Sequence, residues 1–561
     1  MEEPIMKKNL WILGGLMAMA FTACTEDDIV PAGGNSVPEA DGKVSITAYT
    51  PGGKADSRIA FVENDDNTIS LSWEQDETIS VIRGGENQPF QKADESNTFV
   101  GELPDAQGEG TYYAFYPAND DATDYTAVPY DLSVQTGGLN TNSTYMYAAS
   151  EDGQAFQFHH STAILKASFS HADWTEGTKI KQVKVVTPIA TQGTANLSSG
   201  TLTGTGANLI TISYDEPVAT DQAAYIYLPP MSADNKTLVF MVTTTDQKTY
   251  SAILPGSSSK AIEAGKVYSA NVVLAPMNYL MFVASGEGQS LRLDAGLLQY
   301  STNGVDWNTL NADEPVAFEN KLLFVRGKNS NGTGNNTIRF NNEVKVACLG
   351  DIRTLVDYEN YTEANTENAV FRILFKDCSS LTSAPELPAM ALADNCYRSM
   401  FQACSSLTSA PELPAETLTS SCYRGMFVYC TSLTSAPELP ATALADECYR
   451  NMFQNCTSLT TAPILPAETL ASSCYWGMFY NCTSLTTAPV LPADKLTDNS
   501  YANMFDHCSS LNSVTMLATD ISAYDCLFGW LDGVAETGTL THAPGMDIPG
   551  VPTGWTKVAK Q

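Results

Sequence analysis

Eleven cysteines stand at fixed intervals in the last third of the chain. Cys378, Cys404, Cys430, Cys456, Cys482 and Cys508 are each 26 residues apart; Cys396, Cys422, Cys448, Cys474 and Cys526 form a second column with Ser500 in its gap. Thiols in this number could hold zinc or pair as disulfides, but no Cys-x-x-Cys exists to frame a zinc site. Cys396 and Cys404, eight residues apart, would lie about 12 Å from each other on a helix, beyond disulfide reach. The columns therefore read as a ladder of small buried thiols between stacked coils. Disulfides between neighbouring coils are the alternative.

Nucleophilic catalysis needs a positioned base, and the chain has five histidines: His159, His160, His171, His507 and His542. His159 and His160 lie in an alternating stretch that reads as a strand, where a structural histidine fits better than a triad member. Carboxylates are plentiful, but no local context singles out a glycosidase pair. The stretch from Gly327 to Gly334 lacks the Lys-Ser/Thr ending of a phosphate loop and reads as a surface loop. Asp120, Asp121 and Asp124 could hold calcium in a turn, but a solvated acidic loop fits better. The sequence predicts no catalytic residue, no metal site, no cofactor and no enzyme. The formal charge of −33 argues against nucleic acid, which demands a basic face.

One further cysteine suggests covalent chemistry of another kind. Met6-Lys7-Lys8 reads as the basic start of a secretory signal, and Leu10 to Phe21 is an apolar run too short to span a bilayer as a mature helix. Phe21-Thr22-Ala23-Cys24 resembles a lipobox, which implies that residues 1–23 are removed and Cys24 is acylated. An ordinary cleaved signal with an incidental cysteine is the alternative. Thr25-Glu26-Asp27-Asp28 resembles the acidic export signal of Bacteroidota surface lipoproteins. A merely solvated acidic tether is the competing reading. The expected location is the outer membrane, lipid-anchored and facing outward.

The elements behind these residues are mostly β. Residues 24–42 read as a flexible stalk. From 43 to 275, short alternating runs such as Lys43 to Ala48 and Thr78 to Ile82 are separated by Gly, Asn, Asp and Pro turns, a pattern of β-sandwiches. Ser57-Arg58-Ile59-Ala60-Phe61, Ser72-Trp73-Glu74, Tyr112-Tyr113-Ala114-Phe115-Tyr116-Pro117, Phe156-Gln157-Phe158-His159, Tyr227-Leu228-Pro229 and Gly265-Lys266-Val267-Tyr268 follow one another in an order that resembles fimbrillin-like proteins. The resemblance implies two transthyretin-like β-sandwiches, at 43–160 and 161–275, used in that family as pilus subunits, pilus anchors or surface adhesins. Its polymerising members lose a first strand to a protease, but Arg58 sits inside the strand motif, which sets polymerisation of this chain in doubt. Residues 276–370 read as a small β-domain, with a hairpin turn at Asn303-Gly304.

The 26-residue period then sets the architecture of 371–525: a leucine-rich-repeat solenoid, with a short helix and a short strand in each coil. In the coil from Ser421 to Cys430, helical spacing puts Cys422, Tyr423, Met426, Phe427 and Cys430 on one buried face, with Asp394, Ser420, Asp446, Ser472 and Asp498 as N-caps of such helices. Leu433 to Pro440 reads as extended, stopping near Ala436 because Pro437 cannot donate to a ladder. The Met-Phe-x-x-Cys-Thr-Ser-Leu-Thr pattern resembles BspA-type repeats of bacterial surface proteins. Residues 526–561 would cap the array.

The expected function is a surface adhesin or binding module displaying its repeats to a host or bacterial surface protein or glycan. A pilus anchor or tip that meets other pilus subunits is the alternative. Binding is expected along repeating outward columns: Ser383, Ser409 and Ser435, continued by Thr461 and Thr487, beside Glu386, Glu412 and Glu438, continued by Ile464 and Val490. Those columns hold no aromatic residue, which argues against a sugar-stacking platform there.

Overall fold

Trp73 shows how the scattered motifs of the first half come together. Its ring meets Phe99, Tyr116 and Phe158 edge-on at 5.1, 5.5 and 5.4 Å, near the spacing at which edge-to-face rings attract. Its indole N–H donates to the carbonyl of Ala48 at 2.9 Å. Residues from four separate sequence motifs thus share one core, which lies against an eight-stranded sheet whose edge strands are Ala155–Gln157 and His159–His160. The structure is a computed structural model that describes residues 44–560 except 50–61, 64–68, 71–72, 74–76, 94–96, 105–109, 139–142, 205–207, 233–236, 247, 255–260, 294–297, 342 and 365. Cys24, the signal and stalk segments and the Ser57 to Phe61 motif lie outside the described residues.

The chain divides into two compact units, one reaching Thr245 and including Ser251–Ala275, the other Asp246–Tyr250 with Pro276–Gln561. In the first unit, Ala163–Ser170 pairs parallel with Val267–Val273 and antiparallel with Ala224–Leu228. A six-stranded sheet includes Lys179–Val186, Leu209–Ala219 and Leu238–Thr244. Val134–Gln135 joins that sheet from the first half of the sequence. Buried Gln135 fixes the crossing: its Oε1 accepts from the Tyr227 N–H and its Nε2 donates to the Tyr227 carbonyl, both at 2.9 Å. The chain is mainly β, and its sheets fit β-sandwich architecture.

In the second unit one continuous core runs from Leu280 to Trp555. The six-stranded sheet of the small β-region ends on Leu381–Ser383, which belongs to the first repeat and pairs parallel with Val346–Leu349. The repeats therefore grow directly from that sheet's edge.

Within the repeats the expected short helix does not form. Backbone donors alternate instead. Tyr397, Ser399, Phe401 and Ala403 donate to the carbonyls of Cys422, Arg424, Met426 and Val428 in the next coil at 2.9, 2.9, 3.0 and 2.7 Å. Arg398, Met400, Gln402 and Cys404 donate to carbonyls three residues back at 3.1, 3.1, 3.2 and 3.1 Å. Half of the N–H groups thus point along the stacking direction, so a helical ladder has no donors left. Each coil is a ribbon of four-residue turns, with φ of 59°, 52° and 61° at Asn395, Ser399 and Ala403. A four-residue turn repeats side chains at i and i+4 as a helix does. The expected buried face is correct for that reason, and Cys422, Tyr423, Met426, Phe427 and Cys430 are all buried.

The expected N-caps have another role. The carboxylates of Asp394, Asp446 and Asp498 accept the backbone N–H of Ser420, Ser472 and Tyr524, one coil on, at 3.0, 3.0 and 2.9 Å. These contacts recur at every second coil, and so does a second device. Gly477 and Gly529 hold φ of 59° and 61°, and a Cβ at either would stand 2.4 Å from the Oδ1 of Asn451 or Asn503 in the coil before. A side chain in one coil fills the space left by glycine in the next.

The expected strand per coil also forms only in part. In the middle coils it is reduced to isolated bridges such as Ser435 to Thr461. Proline recurs at 385, 411, 437, 463 and 489 and removes a ladder donor each time, and at 489 it coincides with a register shift between Thr487 and Val490. Where Ser513–Met516 and Gly538–His542 lack proline, a regular parallel ladder appears, flanked by Thr487–Leu491 and Trp555–Ala559.

Candidate functional site

The thiols occupy the interior of the repeats. All twelve cysteines among the described residues are buried and none is in a disulfide. The Sγ–H of Cys404, Cys430, Cys456, Cys482 and Cys508 donates to the carbonyl of Phe375, Phe401, Phe427, Phe453 and Phe479 in the preceding coil, at 3.0 to 3.1 Å. Those phenylalanines and Phe505 stack with centroids 5.5 to 5.7 Å apart and planes within 10° of parallel. Burial pushes the Cys430 and Cys508 thiols up to about 12 and moves the other column members upward as well. Since the thiolate is the reactive form, the native protein should resist iodoacetamide without reductant and react at all of these cysteines once unfolded. Mass spectrometry showing most of them already paired in the native protein would contradict this.

The expected binding columns divide. Ser383 and Glu386 are half-buried and tied to the preceding sheet: Ser383 Oγ donates to the Cys348 carbonyl at 3.2 Å, and the Glu386 N–H to the Gly350 carbonyl at 2.8 Å. Ser409, Glu412, Ser435 and Glu438 are exposed to differing degrees, as are Ile464 and Val490 further along. The Asp120 to Asp124 loop is closed by its own polar groups. The Asp124 carboxylate accepts from the Thr126 hydroxyl and N–H at 2.7 and 2.8 Å, bonds that hold its pKa below the usual value. Among the described residues no group of three or more His, Cys, Asp or Glu is placed to hold a metal. No helix among them is long and apolar enough to cross a membrane.

A second outward face lies on the turn ribbon. Arg372, Arg398, Arg424 and Arg450 hold one position in four successive coils, followed by Trp476, Ala502 and Phe528. They are four of the ten arginines in the chain. Glu447 pairs with both Arg424 and Arg450. Burial alone would raise its carboxyl, but the two guanidiniums hold it below the usual range. Arg398 donates to Asn395 Oδ1 at 3.2 Å. Partial burial, then repulsion from Arg424 and Arg372, lowers its own pKa. The Arg450 guanidinium sits 4.4 Å from the Trp476 ring centre. The Nε atoms of Arg372 and Arg450 are buried without a hydrogen-bond partner.

The aromatic side chains missing from the serine and glutamate columns stand on this face. Trp476 and Tyr480 are half-buried, and Phe528 is 64% exposed. Helical spacing marks the residues that point inward and leaves this face unmarked; arginine recurs on it at 26-residue intervals. That recurrence was the available signal.

Residues 39–285 match the family model described as Fimbrillin-like. Two solved structures that match part of the chain are proposed cell adhesion proteins, one from Bacteroides ovatus ATCC 8483 and one from Bacteroides uniformis ATCC 8492. The first is 16% identical with a TM-score of 0.31, the second 18% with 0.30; each match covers 42% of this chain and 94% of the other. A fimbrial assembly protein from Parabacteroides distasonis ATCC 8503 matches at 13% identity and a TM-score of 0.21, covering 41% and 90%. No curated protein matches the sequence. The family match identifies residues 39–285 as a fimbrillin-like domain.

Proposed function

We propose that the chain is a surface lipoprotein that acts as an adhesin or binding module. It would be anchored through Cys24, carried on the acidic stalk of residues 24–42, and built from two transthyretin-like β-sandwiches, a small β-region and a leucine-rich-repeat array closed by residues 526–561. The observation that carries this reading is the Fimbrillin-like match over residues 39–285, supported by the lipobox-like sequence ending at Cys24. The repeats supply what an adhesin needs beyond its anchor: outward positions that recur from coil to coil. Ser409, Glu412, Ser435 and Glu438 are the more exposed members of one such set, continuing from Ser383 and Glu386. A host or bacterial surface protein or glycan is the partner class, and no step requires a cofactor.

Equivalent sites act through effective concentration, so losing one should weaken binding and leave it in place. Deleting residues 431–456 removes one 26-residue period and keeps the turn register, while it loses the Asp446–Ser472 contact and the Asn451 side chain beside Gly477. The variant should stay folded, and cells displaying it should adhere somewhat less to coated mucin or matrix protein. Complete loss of adherence with the fold intact would point to one localised pocket and overturn the repeating-site reading.

The second reading is an anchor or tip subunit of a pilus, supported by the same family match. Recovery of the chain in sheared pilus fractions favours it; recovery only with the outer membrane favours the adhesin.

A further inference from the structure

The arginine column is out of keeping with the rest of the chain. The formal charge is −33, and from 371 to 525 the only other cationic side chains of Lys or Arg are Lys376 and Lys495. Four guanidiniums nonetheless stand in consecutive coils where repulsion opposes their placement. The fold does not need them there, since the same position holds Trp476, Ala502 and Phe528 in the next three coils. Glu447 is the carboxylate paired with the column, and it serves Arg424 and Arg450 together. Arg372 and Arg398 lie outside that pairing.

Beyond Arg450 the column changes from charge to flat surface. Ala502 is a small buried residue, with Trp476 one coil before it and exposed Phe528 one coil after. The position thus presents a one-coil gap flanked by aromatic residues, next to a run of guanidiniums of which Arg424 and Arg450 already share Glu447. Guanidinium matches carboxylate or sulfate in a two-point fork, and an aromatic face accepts the apolar face of a sugar ring.

We propose that this face binds a linear anionic polysaccharide, its carboxylate or sulfate groups paired with Arg372 to Arg450 and a sugar ring seated over Ala502 between Trp476 and Phe528. The proposal rests on the adhesin reading and names the ligand class of its repeat array. Spacing argues against an extended acidic peptide. Side chains on one side of a strand recur about every 6.6 Å, whereas the stacked rings of successive coils are 5.5 to 6.1 Å apart. Over the three steps from Arg372 to Arg450 the mismatch grows to roughly 2–3 Å, enough to lose forked pairing.

The test uses the full chain with polygalacturonate and chondroitin sulfate as probes, and neutral dextran and poly-glutamate as controls. One or both anionic polysaccharides should bind, more weakly as salt rises, with polygalacturonate marking carboxylate and chondroitin sulfate adding sulfate. R372Q/R398Q removes the two arginines outside the Glu447 pair and should leave thermal unfolding unchanged while affinity falls about tenfold or more. R372K/R398K keeps the charge, loses the fork and should fall between. Trp476→Ala should weaken polysaccharide binding severalfold. Binding of neither probe, unchanged affinity in R372Q/R398Q, or tighter binding of poly-glutamate than of either polysaccharide overturns the proposal. Adherence is read in parallel. If R372Q/R398Q cells still adhere and neither polysaccharide binds, the proposal falls and the adhesin reading stands; if cells displaying the unaltered chain do not adhere, that reading falls separately.

Discussion

Chains ending at Asp525 should be recovered as aggregates, not as a soluble shortened array. The segment from 526 onward covers the last coil. Leu527, Trp530, Leu531, Leu540, Ile548 and Trp555 are all buried, each contributing roughly 1.5–3 kcal/mol. Together they approach the whole stability of an ordinary domain, about 5–15 kcal/mol. Backbone satisfaction is lost as well. Tyr501, Asn503, Phe505 and His507 donate to the carbonyls of Cys526, Phe528, Trp530 and Asp532, and Ser513–Met516 pairs with Gly538–His542. Truncation would leave an open parallel strand edge beside an uncovered aromatic stack, a template for association. Size-exclusion chromatography and thermal unfolding check this; a soluble monomer with an unchanged Tm would contradict it.

The end of the array was only partly legible in the sequence. Residues 526–561 read as a cap, yet the turn ribbon continues through Asp532 and the parallel sheet gains two strands from this segment. The Cys508 column passes to Val534, and in that same coil Trp530 takes the position that methionine holds in the coils before it, from Met400 to Met504, so recurrence alone does not mark it as interior filler. Side-chain burial was legible elsewhere because it depends on recurrence alone. Cys422, Tyr423, Met426, Phe427 and Cys430 recur at i and i+4 whether the backbone is helical or turns every four residues.

The backbone was misread because burial spacing does not distinguish those two forms. The distinguishing signal lay on the opposite face: Asn451 and Asn455, Gly477 and Asn481, Asn499 and Asn503, and Gly529 and Gly533 hold positive φ at intervals of four. Glycine and asparagine tolerate that conformation best, and a helix interior would disfavour them. In the fimbrillin-like half, Trp73, Tyr116 and Phe158 were legible as separate motifs. Their meeting in one core was not, since the contacts are long-range. The arginine column was plain in the sequence at 26-residue spacing, but its significance depends on which side of the ribbon faces solvent.

Removing the second unit separates the anchor from the binding surface more directly than any point change. A chain stopped after Ala275 keeps most of the fimbrillin-like segment and Cys24 and loses every repeat. Adherence is compared between cells displaying this chain and cells displaying the whole one, at equal surface abundance measured by an antibody to the first unit. The shortened chain should still reach the surface, and adherence should fall to the level of cells lacking the protein. Undiminished adherence by the shortened chain would move the binding surface to the β-sandwiches and contradict the assignment of binding to the repeats.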